Sequence, residues 1–179
     1  MANWYSDRIG ADGSADSSLP TIATISSVGI AGGRLRMTHA SITVLDTAAA
    51  DVLWMLRMKS SDRIWAIYYG TDGGFSASGS SELGIYTANS TYDGAALAVD
   101  LFGGSISLTS AVDVLTEAFS LGALGGEDRM KTLWEQLAIG DQSYTVDPKV
   151  NFDIAMTLDG NDDVTSSTLT VDVIYTAGD

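Results

Sequence analysis

Apolar and polar residues alternate with a period of two in two stretches near the C-terminal end, the spacing of strands that bury one face. In Asn151 to Leu158, Phe152, Ile154, Met156 and Leu158 alternate with Asn151, Asp153, Ala155 and Thr157. In Thr168 to Tyr175, Leu169, Val171, Val173 and Tyr175 alternate with Thr168, Thr170 and Asp172, and only Ile174 breaks the pattern. Asp159-Gly160-Asn161-Asp162-Asp163 lies between them and reads as a polar hairpin turn. Further strands are predicted at Arg34–Leu45, Asp51–Lys59, Arg63–Tyr69 and Glu82–Thr87, and an apolar run from Ala95 to Phe102 is cut by Gly103-Gly104. Propensity alone allows a helix over Ala48 to Met58. The short link to the Arg63 strand instead suits a hairpin. In Arg63–Tyr69 both alternating sets are apolar, so both faces are expected to be covered, one of them by another subunit. Ser105 to Phe119 fits either strand or helix.

One segment has helical spacing. Met130, Leu133, Trp134 and Leu137 fall at i, i+3, i+4 and i+7, with Glu127 and Asp128 at the start and Gly140 just past the end. Gly70–Ser81, Asn89–Gly94, Gly122–Gly126 and Asp147-Pro148 read as loops and turns. Many short strands and one short helix predict a mainly β chain, an antiparallel β-sandwich of jelly-roll type.

Residues 1–33 follow neither period. Gly10 to Pro20 is small and polar throughout and buries too little apolar area to offset its ordering entropy. The reading is an extended N-terminal arm (1–33) before a sandwich domain (34–179), the arm ordering only in an assembled particle. Trp4 and Tyr5 at its tip either pack back on their own domain or anchor on a neighbouring subunit.

Length and composition narrow the function. The 179 residues suit one domain, with 23 acids against 9 bases, a net charge of −14, one histidine and no cysteine. This excludes disulfide scaffolds, thiol catalysis, thiolate metal sites and histidine-rich zinc sites. It argues against a nucleic-acid partner, which needs a basic footprint. No apolar run approaches the ~20 residues of a membrane helix, so no membrane partner is expected. Met1 to Arg8 lacks the basic and apolar run of a secretory signal, so synthesis in the host cytoplasm is expected. Asn89-Ser90-Thr91 matches a glycosylation sequon but reads as turn chemistry.

Candidate chemistry is sparse. His39 is predicted within a strand with no nucleophile motif beside it, and reads as a structural histidine with a local hydrogen bond. The chain has no Gly-x-Ser-x-Gly elbow and no phosphate-binding glycine loop. Glu82, Glu117, Glu127 and Glu135 sit in no catalytic motif. Asp159, Asn161 and Asp163 match the opening of a calcium loop, but Val164 and Thr170 stand where its glycine and bidentate glutamate belong. No catalytic residue, cofactor or metal is predicted. Charge is more informative. Arg34, Arg36, Arg57, Lys59 and Arg63 are five of the nine bases, while none follows Lys149. Either the molecule is two-sided and docks its basic segment on an acidic partner, or its acids form a salt-adapted surface. The expected partner-binding residues are Trp4, Tyr5, Arg57, Lys59, Arg63 and Trp65.

A series of packing motifs carries a resemblance: Asp51-Val52-Leu53-Trp54-Met55, Asp62-Arg63-Ile64, Glu82-Leu83-Gly84-Ile85-Tyr86, Val99-Asp100-Leu101-Phe102-Gly103, Lys131-Thr132-Leu133-Trp134-Glu135-Gln136-Leu137, Asp147-Pro148, and the closing pair Phe152 to Leu158 and Thr168 to Val171. Over roughly residues 34–176 the chain resembles tailed-bacteriophage virion structural proteins, the head decoration or cement proteins of β-sandwich fold. The arm has no counterpart in that resemblance. It implies binding rather than catalysis: copies, as trimers, cap junctions between major capsid protein subunits on the capsid exterior. A tail or fibre-base component is the alternative. A carbohydrate-binding sandwich module is a further one, but it needs exposed aromatics, and Trp54, Trp65, Tyr68 and Tyr69 are assigned to core or interface.

Overall fold

The computed structural model describes residues 3–5, 35–44, 47, 50–72, 75, 81–108, 111–119, 122, 124–139, 144–158 and 167–178, with backbone alone at 3–5, 113–114 and 130. In chain order the elements are β1 (Asn3–Tyr5), β2 (Leu35–Val44), β3 (Val52–Lys59), β4 (Arg63–Thr71), β5 (Ser81–Thr87), β6 (Ala96–Ile106), β7 (Val112–Glu117), a 3-10 turn (Asp128–Met130), α1 (Leu133–Ile139), β8 (Asn151–Thr157) and β9 (Ser167–Thr176).

The pairing is nested. β2 pairs with β9, β3 with β8, β4 with β7 and β5 with β6, all antiparallel. The body is therefore one long hairpin whose tip is the β5–β6 turn. Rolling it up adds β4–β9 and β5–β8 pairs and closes two sheets, in the orders β2-β9-β4-β7 and β3-β8-β5-β6, with β1 parallel to β3 at the edge of the second. This is the predicted jelly-roll sandwich.

The core lies between the sheets. β2 contributes Ala40, Ile42 and Val44, and β9 contributes Leu169, Val171, Val173 and Tyr175, as period two requires. Register shifts in β3 between Trp54 and Leu56, and in β4 between Ile64 and Ala66, break that period. They bring Leu53, Met55, Leu56 and Met58 of β3 and Ile64, Ile67 and Tyr69 of β4 inward. Phe102 and Phe119 meet edge to face, 5.4 Å between centroids.

Several local expectations are corrected. β3 and β4 form no hairpin: Ser60–Asp62 carries the chain from one sheet to the other. The closing strands β8 and β9 also lie in opposite sheets. An apolar face is satisfied equally by a hairpin neighbour or by the sheet opposite, so alternation alone does not separate the two. Gly103 and Gly104 do not cut the apolar run, since β6 continues to Ile106. The ambiguous 105–119 stretch supplies the end of β6 and all of β7, with no helix among its described residues.

The helix is shorter than its stripe. It begins at Leu133, and Asp128–Met130 is a 3-10 turn instead. Glu135 fixes the start by accepting from the Thr132 backbone N–H at 2.7 Å and its hydroxyl at 2.6 Å. The next two N–H groups are satisfied by the crossing segment, Leu133 on the Asp62 carbonyl and Trp134 on that of Ser60. Leu133, Gln136 and Leu137 are buried, whereas Trp134 is half-buried against the core. Ser60 Oγ donates to Asp147 at 2.5 Å, and the Asp62 carboxylate accepts from the backbones of Lys59 and Gly178. Three residues thus tie both sheets, α1, the 147–150 turn and the C-terminal end together.

Candidate interaction faces

Each sheet has an outer face, and the two are built differently. On β2-β9-β4-β7 the register sets outward residues in rows. Met37 pairs with Ile174, which pairs with Ala66; His39 pairs with Asp172, which pairs with Tyr68; Ser41 pairs with Thr170, which pairs with Gly70. Met37 is 48 % exposed, Trp65 37 % and Leu115 41 %. Leu115 lies over Gly70, which has no side chain to compete for the space. The Trp65 indole N–H donates to Thr176 Oγ1 at 2.5 Å. His39 Nδ1 lies 2.7 Å from Asp172 Oδ1, the cross-strand hydrogen bond of a structural histidine. The acids in these rows are thus engaged: Asp172 with His39, and Glu117, opposite Tyr68, with Arg129 at 2.5 Å.

The outer face of the other sheet is closed. Val52, Trp54, Tyr86, Tyr92 and Ala155 form a second apolar cluster there, with Val99 packed against it. The Trp54 and Tyr86 rings meet edge to face at 5.0 Å. Arg57 binds Asp153 across the strands, Nε to Oδ1 at 2.6 Å and Nη2 to Oδ2 at 2.8 Å. Its Nη2 also donates to the Asn89 carbonyl, and its guanidinium lies 3.9 Å from the Tyr92 ring centroid. Burial pushes the Asp153 carboxyl above the usual range, against the pull of Arg57, and the hydrogen bond to Asp153 raises the Arg57 guanidinium further. One arginine thereby pins the β5–β6 turn onto β3 and β8. Within the turn, Asn89 Oδ1 accepts from the backbone of Thr91 and Asp93, while its amide donates to Asp93 Oδ1. The sequon asparagine is turn chemistry, as predicted.

The predicted binding residues do not share a face. Arg57 is engaged in the closed face and Lys59 is exposed at the end of β3. Arg63 and Trp65 are exposed on the opposite sheet. The backbone of Trp4 and Tyr5 pairs with Leu53 and Trp54, and their side chains lie outside the described residues. Asp159, Asn161 and Asp163 also lie outside them. Among the described residues no group of three or more His, Asp or Glu could hold a metal ion. Sequence reasoning missed Met37, Leu115 and the role of Ile174. The signal for the last was present: the apolar residue that interrupts the pattern of Thr168–Tyr175 occupies an outward position beside Met37.

No protein-family profile and no curated protein matches the sequence. Solved structures show similarity. A chain of the capsid of Ralstonia phage GP4 superposes with a TM-score of 0.63 at 11 % identity, covering 99 % of each chain. A chain of the cyanophage Pam1 capsid asymmetric unit gives 0.42 at 15 % identity, over 90 % of this chain and 99 % of that one. A chain of infectious bursal disease virus, Gx strain, gives 0.36 at 13 % identity, over 81 % of this chain and 33 % of that one. The jelly-roll sandwich found here is thus shared, end to end, with a phage capsid chain.

Proposed function

We propose that the protein is a structural component of a tailed-bacteriophage virion. In this reading it is a non-catalytic decoration or cement protein that sits on the outside of the head as trimers and binds the major capsid protein. The match to the Ralstonia phage GP4 capsid chain over 99 % of both chains carries the proposal. A net charge of −14 supports an exterior position, away from packaged DNA. Residues 1–33 serve as an arm and 34–179 as the body.

Attachment uses the open face around Trp65 and Met37, flanked by Arg63, together with the arm and its Trp4 and Tyr5. Magnitude explains why more than one contact is required. Four strands at ~4.8 Å spacing and about 30 Å long offer roughly 550 Å², while a stable interface takes roughly 800 Å² per partner. The arm and neighbouring copies supply the remainder, so occupancy is cooperative among copies. A reconstruction of the virion that carries the protein tests this. Density is expected on the outer shell at capsid-subunit junctions; density inside against DNA, or only in the tail, would overturn it.

A further inference from the structure

The closed face contains a pocket. Val52 and Trp54 of β3, Tyr86 of β5, Ala96 and Val99 of β6, Thr157 of β8 and Ala50, Asp93, Gly94 and Ala95 line it around about 520 Å³, with Ala50, Asp93, Ala95 and Ala96 exposed at its rim. The rim is fixed in place. Arg57 holds Asn89 and Tyr92, Thr87 and Ala95 close the turn through a backbone bond of 2.9 Å, and an added Cβ at Gly94 would collide with the Thr87 carbonyl. Tyr86 OH and Thr157 Oγ1 are hydrogen-bonded to each other.

The lining is apolar apart from those hydroxyls, and Asp93 is its one charged residue. Asp93 Oδ1 accepts from Asn89 Nδ2 and Thr91 Oγ1, both at 2.6 Å, which leaves Oδ2 without a partner among the described residues. These bonds, from Thr91 first and then Asn89, hold its carboxyl below the usual range, so it is charged at neutral pH. The indole N–H of Trp54, one of the lining residues, is buried and has no acceptor among the described residues.

We infer that this pocket receives a lysine or arginine side chain presented by a partner protein. Charge complementarity selects the occupant. An aliphatic stem lying along the pocket matches the apolar Val52, Ala96 and Val99, and a cationic head pairs with the exposed Asp93 carboxylate. A purely apolar side chain would gain nothing from the rim carboxylate, and an acidic one would be repelled by it. This is independent of the open face of the opposite sheet, and of whether the partner belongs to a capsid.

The probes are N-acetyl-arginine methylamide, N-acetyl-lysine methylamide and, as the uncharged counterpart, N-acetyl-norleucine methylamide, titrated into the full chain. The readout is the Trp54 indole N–H resonance, assigned with Trp54→Phe. The two cationic probes should shift it saturably, with dissociation constants on the order of 1 mM, the scale for ligands of that size. Norleucine should bind about threefold more weakly, and Asp93→Asn, which keeps the Oδ1 acceptor for Asn89 and Thr91, should abolish the difference. Should that variant misfold, raising salt to about 1 M in the native chain must shrink the cationic preference instead. Equal binding of norleucine and lysine, or no saturable shift with either cation, overturns the inference.

Discussion

Trp54 and Trp65 stand on the outer faces of opposite sheets, one 1 % exposed and the other 37 %. Around Trp54 the molecule packs largely against itself, apart from the pocket beside it. An aromatic pair, a pinned turn and a buried ion pair cover β3-β8-β5-β6. Around Trp65 it stops: Met37, Ala66 and Ile174 lie in a row with no layer described above them. Side chains of the same type therefore carry different meanings. Those on the first face mainly hold the fold together, and those on the second make few contacts among the described residues, as expected of an interface.

The sharpest way to break the closed face is Arg57→Met. The Asp153 side chain is 1 % exposed, and removal of its partner leaves a buried carboxylate, a loss of about 3–5 kcal/mol. Burial already raises that carboxyl, and without Arg57 it rises further. The folded state then holds the proton more tightly than the unfolded chain, so the variant gains stability as pH falls from its raised folded value toward the ordinary aspartate value of about 3.9. Urea denaturation should show the largest deficit near pH 7 and a smaller one near pH 5. Adding Asp153→Leu should recover most of the loss at neutral pH. A deficit that is the same at every pH would mean that Asp153 is not the charge left uncompensated.

The same contrast explains what the sequence made legible. The strands were legible because Phe152 to Leu158 and Leu169 to Tyr175 alternate, and short strands separated by glycine-rich loops suffice for the class of fold. Partner strands were not. Ser60–Asp62 connects strands across the sandwich, β8 and β9 lie in opposite sheets, and nothing in a local pattern tells a crossing from a hairpin. β3 read as unusually apolar because both its faces are covered, by the core and by the Trp54 cluster. The basic segment looked like one surface because charge was counted along the chain. Arg57 and Arg63 are six residues apart in sequence, but the crossing between them puts them on opposite sheets, and Asp153 engages Arg57 from a strand about a hundred residues away. Packing residues were thus easier to find than binding residues.

A smaller effect is expected where the two sheets are joined. Thr132→Ala removes the hydroxyl that Glu135 holds and should cost about 1 kcal/mol. Hydrogen bonds from the Thr132 hydroxyl, and then from its backbone N–H, keep the Glu135 carboxyl below its ordinary value. Its contribution is complete above the ordinary glutamate value of about 4.3 and is lost as pH falls through the lower folded value. Hydrogen exchange of the α1 amides should therefore accelerate between about pH 5 and pH 3 in the native chain, beyond the intrinsic change. Glu135→Gln should remove most of that pH dependence. Acceleration confined to β2 and β9 would place the acid-sensitive contact elsewhere.

The smallest effect on stability is expected at the open face, and there the comparison is tested most directly. Met37→Ser and Trp65→Ser remove apolar surface that is already partly in water, and the indole bond to Thr176 is exposed. Each should change the free energy of unfolding by no more than about 1 kcal/mol. Trp54→Ser, on the closed face, should cost about 3–5 kcal/mol. On the proposed role as a head decoration protein, the order reverses when binding is read: Met37→Ser with Trp65→Ser should lower occupancy on purified heads although the protein remains folded. Reversal of Arg63 to Glu should lower it less, because an exposed ion pair contributes roughly 0–1 kcal/mol. For the same reason about 1 M salt, where the Debye length is near 3 Å, should leave most of the attachment intact. If Trp65→Ser instead destabilises the chain as much as Trp54→Ser, the two faces are alike and the open one is part of the fold rather than a surface for a partner.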